Sequence, residues 1–318
     1  MKDTTAQSIV RPTSIVILGG TGDLAKTKLF PALLDLYLAD KLPEDFSILG
    51  LSRKEFTQAE YQTFVRDSII DKGHQHNVAE VEQFCKHIRY LVGSFSEDDT
   101  YEKIKTTLKE YDQEIARCTN KLIYLAVPPQ YYEMIFEHIH SSEVLELCDE
   151  VDSWSRLLVE KPFGKDLQTA QALEKKLCSF FKEEQIYRID HYLAKDAIEN
   201  ILALRFMNSV LDEVWGAETI ESIHIKMLET KDVSNRGSFY DVMGTLRDVG
   251  QNHMLQIFAL LTMPWADIHN PQSIREARAE ALQALKKYEL IDIMRAQYDG
   301  YDATEGVAEA SDTETYFK

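Results

Sequence analysis

Cysteine is scarce in this sequence, with four residues among 318, and they are widely separated: Cys85, Cys118, Cys148 and Cys178. They form no C-x-x-C pair and have no histidine at metal-ligand spacing, so the sequence predicts reduced structural thiols and no metal site. Apolar runs of the ~18 residues that a membrane span needs are also missing. The first residues lack the apolar stretch of a signal peptide. We therefore expect a cytoplasmic protein.

The sequence also has less positive than negative charge, with 35 Lys and Arg residues against 53 Asp and Glu residues, which gives a net charge of −18. Such a chain has no electrostatic reason to bind nucleic acid or an anionic membrane surface. A phosphorylated small ligand would need a concentrated local group of cations. Length predicts about two domains.

The first half of the chain alternates short apolar runs with helical patterns. Strands are predicted at Ser14–Leu18 and Ser47–Leu51, followed by the further runs RYLVG, KLIYLAV and RLLVE. Apolar strands separated by helices indicate a parallel sheet covered on both faces. Residues 1–185 are therefore predicted to be an α/β domain with a Rossmann-type, doubly wound parallel sheet.

After residue 185 the pattern changes to that of an α+β domain with an antiparallel sheet, which the sequence leaves incomplete over residues 186–318. The final run, ETYFK, is predicted to begin a strand. The other predicted elements are three helices, at Ala194–Met207, Gly244–Leu261 and Ser273–Lys287, and one alternating strand, at Ser222–Thr230.

A dinucleotide site is predicted where the first strand runs into GGTGDLAK, since Gly20, Gly22 and Ala25 form a G-x-G-x-x-A pattern. The glycines allow a tight turn and a close approach to a pyrophosphate, and the helix N-terminus favours the anion. The second strand ends in Ser52, Arg53 and Lys54 rather than in an acid. Arginine suits a ribose 2′-phosphate, which favours NADP; solvated loop charges are the alternative.

Three further clusters suggest chemistry. His253 lies among polar residues on a predicted helix, and the histidine side chain is in general well suited to act as a general base, although a structural histidine is the alternative. His191, Tyr192 and Lys195 form a donor group at a predicted helix start, typical of a phosphate site. A capped, solvated helix start explains that second group equally well. Lys161 follows an apolar strand and precedes Pro162, at the edge where parallel sheets bind ligands.

Five stretches together resemble the glucose-6-phosphate dehydrogenase family, in the expected order and from about Ile15 to the last residue. RIDHYLAKDAIENILALRF is the most specific of them, and the other four are GGTGDLAKTKLFPALLDLY, YLAVPPQYY, VEKPFGKDL and RGSFYDVMGTLRDVGQNH.

The resemblance implies oxidation of glucose 6-phosphate to 6-phosphoglucono-1,5-lactone, with hydride transfer to NADP. It implies that His253 is the base, that Asp190 orients it and that Lys161 belongs to the catalytic group. The implied substrate residues are Lys161, His191, Tyr192, Lys195, Glu229 and Asp248. The implied cofactor residues are Gly19, Gly20, Thr21, Gly22, Asp23, Leu24, Ala25, Lys26, Arg53, Tyr132 and Lys161.

This sequence departs from the family where other members continue through a large antiparallel sheet, which adds basic residues and dimer contacts. We therefore expect NADP binding but slow or absent turnover. The resemblance implies a homo-oligomer for the full-length family, a state that is doubtful for this chain. Two alternatives stay open: another NADP-dependent sugar oxidoreductase, and a non-catalytic NADP-binding homologue.

Overall fold

The computed structural model describes residues 11–70, 77–146, 148, 153–212, 214–286 and 293–318. The chain divides into two compact units, Met1–Ile189 and Asp190–Lys318. In the part of the chain so described, every helix is too short or too polar to cross a membrane.

The first unit contains a six-stranded, fully parallel sheet in the order β3-β2-β1-β4-β5-β6. This order reverses direction at β1 and β4, as in a doubly wound dinucleotide-binding fold. The predicted α/β sheet is therefore confirmed, although the short last strand was not predicted. The strands are β1 (Thr13–Leu18), β2 (Phe46–Ser52), β3 (Ile88–Val92), β4 (Asn120–Leu125), β5 (Ser155–Val159) and β6 (Ile186–Arg188).

Helices cover both faces of this sheet. Along β1, Val16 and Leu18 join one apolar cluster while Ile15 and Ile17 join the other. This alternation follows from the two-residue period of a strand. The helices are α1 (Phe30–Leu38), α2 (Gln58–Ile70), α3 (Val78–Cys85), α4 (Asp98–Glu114), α5 (Tyr132–Ser141) and α6 (Leu167–Phe180).

The second unit is mainly helical, and its three predicted helices are present apart from shifts at their ends. Position 287, the predicted end of the last one, lies outside the described residues. A π-helical segment, Leu246–Met254, links two of the helices. The elements are α7 (Asp196–Phe206), α8 (Ser209–Asp212), α9 (Gly237–Thr245), α10 (Leu255–Thr262), α11 (Pro271–Gln283), β7 (Arg295–Ala296) and β8 (Tyr316–Phe317).

The predicted strand at Ser222–Thr230 is wrong for this structure, because these residues form no strand. An alternating pattern gives a strand two chemically different faces, but a strand also needs a neighbour to complete its hydrogen bonds. The antiparallel pairing described in this unit is between β7 and β8 instead, with Arg295 opposite Phe317 and Ala296 opposite Tyr316.

The segment around β8 packs on the helices of the second unit. The Glu314 carbonyl accepts a bond from the Thr245 amide at 3.0 Å, and its carboxylate accepts from the Leu246 amide at 2.9 Å. Gly250 lies against the Phe317 ring, where a Cβ would clash. These contacts secure the start of the π-helical segment.

The prediction of four reduced thiols is wrong for one pair, since the structure joins the sulfur atoms of Cys118 and Cys148. Their Cα atoms lie 6.1 Å apart although 30 residues separate them in sequence. Spacing along the chain gave no sign of this proximity. Cys85 and Cys178 are free.

Candidate active site

The glycine-rich loop leaves β1 at the carboxyl edge of the sheet. Gly19 has a φ of +94°, and its amide and that of Gly20 both donate to the Leu51 carbonyl at the end of β2. A Cβ on Gly19 would clash with the backbone of Ala126, which follows β4. Only glycine fits this turn, which makes it a cradle of the kind that admits a pyrophosphate.

Tyr61 supports the same loop and was not predicted. Its buried hydroxyl donates to the Gly20 carbonyl at 2.8 Å, and a Cβ on Gly20 would clash with it. Ala25, fully buried, begins the π-helical turn that leads into α1. These contacts hold the loop in place without a ligand. The other predicted cofactor residues, Thr21, Asp23, Leu24 and Lys26, lie in the loop and in the helical turn that follows it.

The predicted 2′-phosphate group follows β2 at the same edge. Arg53 and Lys54 are exposed, while Ser52 is buried. The Ser52 hydroxyl accepts from the Lys54 amide at 3.1 Å and bonds the Tyr90 hydroxyl at 2.7 Å. Ser52 therefore stabilises the turn after β2, and the exposed side chains of Arg53 and Lys54 are accessible to a ligand.

Lys161 follows β5 at this carboxyl edge and is half-buried before a cis bond to Pro162. Tyr132 is 1% exposed, and its hydroxyl donates to the Glu160 carbonyl at 2.9 Å. Tyr132 thus holds the backbone just before Lys161. Its contact with a cofactor stays a prediction.

In the second unit, His253 and Asp190 form a buried dyad. Nδ1 of His253 lies 2.7 Å from Oδ1 of Asp190, and the two side chains are 2% and 9% exposed. Asp190 also accepts from the Tyr192 amide at 3.0 Å. The sequence predicted this partnership only through family resemblance, since 63 residues separate the two positions.

Electrostatics fix the proton in this dyad. Burial would raise the pKa of Asp190, but hydrogen bonds from His253 and the Tyr192 amide outweigh it and hold that pKa below its ordinary value. Asp190 is therefore an ionised acceptor at neutral pH, so Nδ1 of His253 donates. In the neutral imidazole, Nε2 is then left to accept a proton.

Aromatic and cationic groups surround the His253 ring. Tyr192 stacks on it with centroids 4.1 Å apart, and His191 meets it edge-on at 4.8 Å. Lys195 places its Nζ 3.5 Å from the Tyr192 centroid. The helix start predicted for this group is shifted by two residues: α7 begins at Asp196 with Lys195 as its N-cap, so His191 and Tyr192 precede the helix. A turn therefore brings these donors together.

The other predicted substrate residues differ in position. Asp248 is buried on the π-helical segment, with an Oδ2 3.7 Å from Arg236. A π-helix pairs residues five apart, which places Asp248 and His253 on one side of the segment. Glu229 is exposed and its carboxylate accepts only from the Thr230 amide among the bonds described. No described contact connects Glu229 with the dyad.

Arg278, on α11, is a charged group near the dyad that was not predicted. Burial lowers the pKa of Arg278 while the negative charge of Asp190 raises it. Its buried Nε makes no hydrogen bond, and neither does Oδ2 of Asp190. The sequence held a signal: position 278 falls on the apolar face formed by Ile274, Ala277 and Ala281.

Asp190, His191 and His253 also offer donor atoms within 4.8 Å of one another, a group able to hold a metal ion. Two of these residues, Asp190 and His253, already bond each other in the dyad. The absence of a resident metal stays a prediction.

Two family models match the chain. "Glucose-6-phosphate dehydrogenase, NAD binding domain" matches residues 16–200, and "Glucose-6-phosphate dehydrogenase, C-terminal domain" matches residues 202–318.

Curated relatives and solved structures agree with these models. A glucose-6-phosphate 1-dehydrogenase of Aggregatibacter actinomycetemcomitans is 38% identical over 95% of this chain and 63% of its own length. A structure described as glucose-6-phosphate dehydrogenase in complex with its substrate glucose-6-phosphate has a TM-score of 0.87 and 33% identity, covering 96% of this chain and 64% of that one. The Mycobacterium avium glucose-6-phosphate 1-dehydrogenase has a TM-score of 0.86 and 32% identity.

Proposed function

Because the chain belongs to the glucose-6-phosphate dehydrogenase family, we propose that it binds NADP and oxidises glucose 6-phosphate to 6-phosphoglucono-1,5-lactone. The observation that supports this best is the buried dyad of His253 and Asp190 beside the donors of residues 191–195. The chain spans 63% of the length of the first curated relative, so the activity, substrate and partners of the whole protein are part of this proposal.

We assign the residues of the first unit to the cofactor. The backbone of the Gly19–Gly22 turn can approach a pyrophosphate closely, because its glycines have no side chains and a Cβ at Gly19 or Gly20 would clash with neighbouring atoms. Arg53 would meet the 2′-phosphate in bidentate fashion. NADP, when bound, supplies the hydride acceptor. Lys161 would hold the cofactor and the sugar at the end of β5.

We assign proton removal to His253. As the C1–H bond breaks and the hydride leaves, the C1 hydroxyl gives its proton to Nε2 and becomes the lactone carbonyl. The Asp190 carboxylate stabilises the imidazolium that forms. The charge of the sugar phosphate would be met by Lys195, His191 and the Tyr192 hydroxyl, each such bond contributing about 1.5–3 kcal/mol.

We also propose residues 1–185 as the NADP-binding domain and residues 186–318 as a substrate-binding domain. The net charge of −18 supports the absence of nucleic-acid and membrane partners. A cytoplasmic location is also part of the proposal. A homo-oligomer is expected of the full-length family.

The test is single-turnover kinetics with enzyme in excess, which detects slow chemistry. We expect glucose 6-phosphate, and not glucose, to reduce NADP. A His253→Asn variant should react roughly 10²–10⁴-fold more slowly, because a positioned base is lost. NADP binding by the variant, measured by titration, should be unchanged.

A His224→Asn variant is the matched control, since His224 is exposed on a segment outside the dyad. Equal rates for His253→Asn and wild type would contradict the proposed base. Equal rates for glucose and its phosphate would favour another sugar oxidoreductase, and NADP binding without reduction would favour a non-catalytic homologue.

A further inference from the structure

Tyr192 contacts the dyad in two ways. Its backbone amide donates to the same Asp190 oxygen that His253 contacts, at 3.0 Å. Its ring lies nearly parallel to the His253 imidazole, with an angle of 24° and centroids 4.1 Å apart. The proposed grip on a phosphate uses only the hydroxyl, so the ring is left without a function in that scheme.

The dyad hydrogen bond alone does not fix the imidazole. The bond from Nδ1 to Asp190 sets the direction of one ring edge, but this bond by itself does not restrict rotation of the ring plane about its own axis. A flat aromatic neighbour removes this freedom, because offset stacking is favourable only while the planes stay close to parallel. The edge of His191, at 77° to the His253 ring, confines it further.

Lys195 holds the Tyr192 ring in turn. Its Nζ lies 3.5 Å from the centroid, the geometry of a cation–π contact. An imidazole centred 4.1 Å from the same ring leaves no room for an ammonium group on that face. Lys195 and His253 therefore take opposite faces of Tyr192, and the three side chains form one stack.

We propose that the Tyr192 ring is a positioning residue, which holds the plane of the His253 imidazole so that Nε2 points at the sugar C1 hydroxyl. This role rests on the proposed function and adds to it. The hydroxyl of Tyr192 serves substrate binding and the ring serves the base, so the two parts of one side chain are separable by substitution.

Two substitutions separate these roles. Tyr192→Phe keeps the ring and removes the hydroxyl. Tyr192→Leu removes both. We expect Tyr192→Phe to raise the KM for glucose 6-phosphate about tenfold or more, as a bond to a charged group is lost, and to lower kcat less than Tyr192→Leu does. Tyr192→Leu should also lower kcat, by roughly 10–10²-fold, because a misplaced reacting group costs that much.

Proton NMR of the histidine-labelled, ligand-free chain tests the stack without turnover, with His253→Asn to assign the resonance. We expect the His253 ring protons to be shifted upfield by the tyrosine ring in wild type and in Tyr192→Phe, and to lose that shift in Tyr192→Leu. If Tyr192→Leu fails to fold by circular dichroism, Tyr192→Met, with a flexible side chain that fills the gap, replaces it.

Equal kcat in the Phe and Leu variants, or an unchanged His253 shift in Leu, would overturn the positioning role. A wild-type chain without turnover would contradict the proposed function instead, and the NMR comparison would then decide the stack by itself.

Discussion

Position 278 has an arginine where the helical pattern favours an apolar side chain. Ile274 and Ala281 of α11 pack in the core of the second unit, and Arg278 shares their face. A buried guanidinium needs a compensating charge. Asp190 provides it, since its charge raises the pKa of Arg278 against the effect of burial.

A double-mutant cycle of Asp190→Asn and Arg278→Met tests this pairing. We expect each single change to destabilise the chain, because it removes one of two opposite charges that attract each other, and the double variant to recover part of the loss. The coupling in the free energy of unfolding should be about 0.5–3 kcal/mol, the range for residues of one charge network. Urea denaturation at neutral pH measures it.

The coupling should also depend on pH. Because the pKa of Asp190 is lowered in the folded chain, its contribution is fully present above the ordinary carboxyl value of ~3.9. It is lost as the pH falls through the lowered folded value. Arg275→Met is the control, since that arginine is exposed on the same helix. Coupling of equal size for Arg275 would show that the Arg278 pairing is not specific.

At the scale of elements, the hydrophobic pattern predicted those strands and helices that depend on the residues of one segment. Apolar strands such as Ser14–Leu18 and the helix at Ala194–Met207 appear close to their predicted bounds, because burial periodicity specifies them. The prediction of a strand at Ser222–Thr230 was wrong because a strand needs a second segment to form its backbone hydrogen bonds. The π-helical form of Leu246–Met254 also left no trace in the hydrophobic pattern.

Gly244 is where the chain enters that π-helical segment, with φ +70° and ψ 162°. This region of backbone space is essentially restricted to glycine, and other residues there cost about 1–3 kcal/mol. A Cβ would also meet the buried Glu314 carboxylate, which bonds the Leu246 amide. We therefore expect Gly244→Ala to lower the free energy of unfolding by at least about 1–3 kcal/mol.

Thermal and urea unfolding measure this loss, and Gly216→Ala is the matched control. Gly216 has no positive φ and its Cβ would meet open space, so that change should be nearly neutral. A Gly244→Ala chain as stable as the Gly216→Ala chain would show that the junction is not constrained by its backbone.

At the scale of the whole molecule, the sequence located the glycine loop and the cluster at residues 190–195 because each is one continuous segment. It could not place partners that are distant in sequence, such as Tyr61 under Gly20 or Arg278 near Asp190. The joined Cys118 and Cys148 were missed for the same reason. The chain topology brings such residues together, and the pattern of a single segment does not predict that topology.

The residues proposed to bind the two ligands belong to different units. NADP is assigned to the turn at residues 19–26 of the first unit, and the sugar phosphate to residues 190–195 of the second. A ligand that binds only the folded state stabilises what it contacts, by about 2.7 kcal/mol at a hundred times its Kd. Hydrogen exchange resolved by peptide should therefore show protection at residues 19–26 with NADP and at residues 190–195 with glucose 6-phosphate.

NAD at the same concentration is the control, and it should protect residues 19–26 less, because the exposed Arg53 has no 2′-phosphate to bind. Glucose without its phosphate should leave residues 190–195 unprotected, since Lys195 and His191 would have no anion to meet. Protection by NADP confined to the second unit would contradict the assignment of the glycine loop, whatever the rate of turnover. Equal protection by NAD and NADP would remove Arg53 from the cofactor site while leaving the loop in place.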